Sequence, residues 1–115
     1  MAGEGDVRVR SNIQGQLFRM EEARRQTQRQ LDMIERQIIR RMTALIPKLQ
    51  PKRTAYRCGK APDPEVFLER YRTHLAALTA ERQTEIDALS RKLARQDEAI
   101  AALRARAHLH HERAA

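Results

Sequence analysis

The sequence predicts an all-α protein, two long helices forming an antiparallel coiled-coil-like hairpin that is expected to be oligomeric. Three observations predict it. Ala, Glu, Lys, Leu and Arg make up 61 of the 115 residues, the composition of long helices and coiled coils. Apolar residues recur at three- and four-residue spacings over two stretches, the period of a helix–helix seam. Between those stretches lies a segment punctuated by prolines, whose missing N–H groups and fixed φ break helices.

Residues 1–11 read as a flexible lead, with two glycines, alternating charge and no apolar stripe. Ser11 followed by Gln14 is a capping box. The first helix is predicted over 12–46. Its seam is Ile13, Leu17, Met20, Leu31, Ile34, Ile38 and Leu45, with Arg24 and Thr27 as a polar gap and Arg41 near the end. Past Ile38 the stripe widens to include Ile39, Met42 and Ile46. Pro47 is expected to stop this helix, because it disfavours helical geometry at the residue before it. Residues 47–62, PKLQPKRTAYRCGKAP, form the linker.

Asp63-Pro64-Glu65 is a helix start, with an N-cap acid, proline at the first helical position and a second acid in the first turn. The second helix is predicted over 63–108, followed by a basic, His-containing tail at 109–115. Its seam runs Leu68, Tyr71, Leu75, Leu78, then slips. Arg82, Ile86, Leu89, Leu93, Gln96, Ile100 and Leu103 resume four residues out of phase. Such a stutter locally unwinds a supercoil.

An antiparallel register that sets Ile46 opposite Pro64 places Ile38 near Tyr71, Ile34 near Leu75, Met20 near Leu89 and Leu17 near Leu93. It also sets Arg24 near Glu85, at the level of the stutter. A parallel pairing of each helix with its own copy is the alternative arrangement.

Leu, Ile, Val and Phe total only 23 residues, and the aromatics are Phe18, Tyr56, Phe67 and Tyr71. A thick globular core is therefore excluded, since too little apolar surface offsets chain entropy. A narrow seam, or a core shared between chains, fits instead. Near the linker, Ile39, Met42, Ile46, Val66 and Phe67 lie beside the seam and are the expected partner-binding residues. They would form an apolar patch that needs cover. The cover is expected to be a second copy of the chain or a helical protein partner.

The net charge is +8, of which +5 falls in residues 47–62. Lys48, Lys52, Arg53, Tyr56, Arg57 and Lys60 are the candidate nucleic-acid-binding residues. Cations neutralise phosphates, and a tyrosine ring stacks on an unpaired base. A plain solvated loop has the same composition, and no nucleic-acid-binding fold motif accompanies it. Cys58 is the only cysteine, so no internal disulfide forms. It reads as an inert thiol despite Arg57 and Lys60 beside it. His108, His110 and His111 offer too few ligands for a metal site, and His74 reads as half-exposed packing. Glu21, Glu22, Glu81, Glu85, Asp97 and Glu98 read as solvated helix faces.

There is no phosphate-cradling loop, ligand quartet or nucleophile–base pair. The expected function is thus that of a non-enzymatic adaptor or assembly factor without cofactor or small-molecule substrate. The alternative is a nucleic-acid-binding accessory protein. No apolar run approaches a membrane span, and MAGEGDVRVR has no signal-peptide core. The expected setting is cytoplasmic.

Overall fold

The computed structural model describes residues 3–50 and 63–114. Helix covers 97% of these, with no strand among them. The elements are α1 (Gly3–Leu49), α2 (Pro64–Glu81) and α3 (Gln83–Ala114). The chain divides into two units, one of residues 1–31 with 88–115 and the other of residues 32–87.

α1 starts at Gly3, not after Ser11, so the expected flexible lead is helical over residues 3–11. No packing drives this: every described side chain from Gly5 to Asn12 is exposed. Propagation explains it, because extending a nucleated helix adds one hydrogen bond per residue fixed. α1 also runs three residues beyond its expected end and contains Pro47. The physical reason is Leu49, which is 5% exposed. Continuing the helix buries that side chain, which offsets the N–H that Pro47 cannot give to the Thr43 carbonyl. The Gln50 N–H closes the end on the Ile46 carbonyl at 3.3 Å.

α2 begins as its local chemistry dictates. Asp63 has extended backbone (φ −64°, ψ 121°), and its carboxylate accepts the Glu65 N–H at 3.0 Å. Pro64 occupies the first turn, where its missing N–H costs nothing. The second helix is not continuous. At Arg82 the backbone turns to φ −104°, ψ 2°, and its N–H donates to the Thr79 carbonyl at 3.1 Å, a three-residue bond. The helix resumes when the Ile86 N–H donates to the Arg82 carbonyl at 3.0 Å. The break falls where the apolar frame slips. α3 then continues to Ala114, so residues 109–114 are helix and not a separate tail.

Among the described residues of the second unit the buried side chains are Ile34, Ile38, Met42, Leu49 and Leu78. Met42 takes the seam position expected of Arg41, which is exposed. Phe67 is half-buried, its ring centroid 6.3 Å from that of Tyr71, while Leu68, the expected seam residue, is 44% exposed. In the first unit Thr27, Ile100 and Leu103 are buried. Thr27 satisfies its hydroxyl locally, donating to the Ala23 carbonyl at 3.1 Å.

Candidate interaction surface

Among the described residues, polar side-chain contacts join α1 to the helices after the linker. In the first unit Arg24 bonds Asp97, and Arg104 bonds Glu21 at 2.5 Å. In the second, Arg41 bonds Glu81 at 2.8 Å and Arg82 donates to Gln37 Oε1 at 2.7 Å. These replace the expected register. Arg24 reaches Asp97, twelve positions beyond Glu85. Glu85 instead accepts two bonds from Arg82, at 3.2 and 2.9 Å.

Five of the six acids expected to be merely solvated are thereby ion-paired: Glu21, Glu22, Glu81, Glu85 and Asp97. Glu22 pairs with Arg25 at 2.8 Å. Hydrogen bonds from Arg25 hold the Glu22 carboxyl below the usual carboxylate range, and those from Arg82 do the same for Glu85. The bond to Asp97 raises the Arg24 guanidinium above its ordinary value. All these groups meet solvent, so each pair adds little stability.

An open groove of about 480 Å³ in the first unit is lined by Glu21, Arg24, Arg25, Asp97, Ile100, Ala101 and Arg104. Its three guanidiniums are each engaged by a carboxylate, so it presents no uncompensated charge to an anion. Next to Asp97 in sequence, Gln96 Oε1 is buried and, among the described residues, has no hydrogen-bond partner. His108 lies 3.1 Å from Glu112, and His74 is exposed. No group of three metal-ligating side chains occurs among the described residues.

Apolar side chains stand exposed in both units: Val7, Val9, Phe18 and Leu109 in the first, and Met33, Ile39, Val66 and Leu68 in the second. Ile39 is 55% and Val66 45% exposed, whereas Ile46 and Phe67 are half-buried. Met42, expected on the same patch, is 2% exposed and belongs to the seam. Sequence reasoning missed Met33 and Leu68, which are also exposed. Leu68 was concealed by Phe67 next to it, since either could fill one seam position. A second groove, of about 470 Å³, lies along α2 between Arg72 and Gln83 and is floored by Leu75, Ala76, Thr79 and Ala80.

Of the cationic candidates, Lys48 is exposed in the last turn of α1. Lys52, Arg53, Tyr56, Arg57 and Lys60, with Cys58, fall outside the described residues. No helix among the described residues is long and apolar enough to cross a membrane. Comparison with protein-family models, curated proteins and solved structures finds no match to this chain.

Proposed function

We propose that this chain is a non-enzymatic helical interaction protein, an adaptor or assembly factor acting in the cytoplasm. Its helices pair antiparallel within each unit, and a helical partner docks on the apolar side chains of the second unit. The antiparallel reading is supported by the order of the contacts: Gln37 meets Arg82 and Arg41 meets Glu81, while Glu21 meets Arg104 and Arg24 meets Asp97. Advancing along α1 means retreating along its partner.

One observation carries the docking surface. The second unit already buries Ile34, Ile38, Met42 and Leu78, yet leaves Met33, Ile39, Val66 and Leu68 in solvent. Large apolar side chains left in solvent are candidates for an interaction site, and an amphipathic helix is an element that covers them. A photo-crosslinking residue placed at Ile39 tests this. Covalent adducts should form from position 39 in cells and not from Arg8, which is exposed in the first unit. Equal yields from both positions would sink the reading.

The second reading is phosphate contact through the linker, favoured by the five cations and no acids in residues 47–62. Replacing Lys52, Arg53, Arg57 and Lys60 with Ser should weaken binding to all DNA sequences alike and flatten its salt dependence. Absence of any DNA or RNA binding at low salt would remove it.

A further inference from the structure

We propose that the outer face of α3 in the first unit binds the phosphate backbone of duplex DNA without regard to sequence. This site is separate from the docking surface and from the linker, and it depends on neither.

The charged side chains of residues 88–114 sort into two sets. In one, Asp97 and Arg104 are bound across to α1 by Arg24 and Glu21, and Glu112 lies against His108. The other is Arg91, Lys92, Arg95, Arg106, Arg113 and a single acid, Glu98, all exposed. Among the described residues none of these six has an ion-pair partner. The acids of α3 before residue 88 are engaged: Glu85 by Arg82 and Asp87 by the Gln83 amide at 2.8 Å. Glu21 and Glu22 of α1 are held by arginines too.

Helical rotation gathers the second set. At about 100° per residue, Arg91, Arg95, Arg106 and Arg113 fall within about 60° of one another around α3. Lys92 flanks this wedge on one side and Glu98 on the other. Buried Ile100 and Leu103, with Asp97 and Arg104, all lie about 60° or more beyond its edges. The four arginines therefore line the side of α3 turned away from α1. An arginine-rich composition does not by itself make such a row. On α1 the exposed Arg8, Arg10 and Arg19 spread over about half the circumference, and on α2 Arg70 and Arg72 stand among Glu65 and Glu69.

Duplex DNA is the polyanion that fits. Arg91 to Arg113 spans about 33 Å at the helical rise, and a duplex presents a phosphate about every 1.7 Å of its axis. Each guanidinium can bond two phosphate oxygens at once. Ala102 occupies the wedge between Arg95 and Arg106 and Ala99 borders it, so the helix can approach closely. Its width, about 10–12 Å, suits a major groove of about 12 Å. An unpaired strand needs rings to stack on, and α3 has no Phe, Tyr or Trp. A helix lying on a membrane buries its apolar face in lipid, whereas Ile100 and Leu103 are buried within the protein. The wedge holds no Asn or Gln to read adenine, so its contacts position the protein without selecting a sequence.

Fluorescence anisotropy of a random-sequence duplex, titrated with the full chain over a salt series, tests this. Replacing Arg91, Arg95, Arg106 and Arg113 by Gln keeps a similar helix propensity. It should flatten the slope of log affinity against log salt by about 3.6, at ~0.9 per phosphate. Between about 50 and 200 mM salt, wild type should then lose roughly 100-fold more affinity than the variant. Removing the same charge from the second unit, with Arg36, Arg40, Arg70 and Arg72 replaced by Gln, should leave the slope within about one of wild type. Equal flattening by both variants overturns the proposal, since net charge and not a surface would be acting. Glu98→Arg adds a cation and should steepen the slope by about 0.9. An unchanged slope there overturns the stripe, even if circular dichroism shows the quadruple variant unfolded. A slope kept by the α3 variant but lost on replacing Lys52, Arg53, Arg57 and Lys60 with Ser overturns this site and leaves the linker reading standing. Wild type that binds no duplex at low salt removes both, and tighter binding to phosphatidylserine vesicles than to duplex overturns the choice of DNA.

Discussion

The two units solve the same pairing problem with different chemistry. The second has an apolar seam, with Ile34, Ile38, Met42, Leu49 and Leu78 all buried. The first places Thr27 at 1% exposure among its buried residues and Gln96 half-buried, flanked by the Arg24–Asp97 and Glu21–Arg104 bonds. An apolar seam supplies stability but weak register, because hydrophobic attraction has no direction. Polar and charged groups supply register at little or no gain in stability. The surfaces do not divide the same way: both units carry ion pairs, and both leave large apolar side chains in solvent, Phe18 and Leu109 in the first and Met33 and Ile39 in the second.

The sharpest way to break this contrast is in the second unit's seam. Met42→Ala should cost about 2–5 kcal/mol, the range for truncating a buried methionine. Urea denaturation followed by circular dichroism would read the loss, and a change under ~0.5 kcal/mol would place Met42 on the surface after all. Pro47→Ala tests whether burial of Leu49 overrides the proline. Relief of the ~3 kcal/mol helix penalty, less about 1 kcal/mol from a freer unfolded chain, should stabilise the protein by roughly 2 kcal/mol. An unchanged denaturation midpoint would mean the last turn contributes nothing.

In the first unit, Gln96→Leu should stabilise by about 1–2 kcal/mol, since it removes a buried oxygen without a partner. Destabilisation would reveal a hidden bond to that oxygen. The smallest effect is acidification. The folded-state pKa values of Glu22 and Glu85 lie below their ordinary values because arginines bond the ionised forms. Their contribution is therefore present above the ordinary carboxylate pKa and disappears as pH falls through the depressed folded value. A thermal midpoint that rises on acidification through this window would contradict the assignment, as would an acid dependence left unchanged by Arg82→Ala.

Several elements were legible because their signals are local. Asp63 and Pro64 specify a cap with no help from the rest of the chain. The spacing around Leu78 and Arg82 located a slip of the apolar frame, expected within one continuous helix, and the structure breaks the helix at that slip. Ile34, Ile38, Leu78, Ile100 and Leu103 were assigned to the seam by periodicity, and all are buried. Periodicity failed where two neighbours compete for one position, as at Arg41 and Met42 or Phe67 and Leu68. There, packing against the opposite helix makes the choice. The proposed docking residues were legible as apolar and beside the seam, but which of them remain exposed was not.

By itself the sequence determined that the chain is helical, where the linker-side cap of α2 lies and where the apolar frame slips. Each of these depends on a few neighbouring residues. Only the tertiary structure decided which residues meet. An apolar stripe repeating about every 3.5 residues aligns nearly as well after a slip of three such steps as before it, so the stripe cannot choose between Glu85 and Asp97 for Arg24. The residues outside the repeat make that choice, because a guanidinium and a carboxylate bond only within a few ångströms, and their match is visible only once both helices are in place.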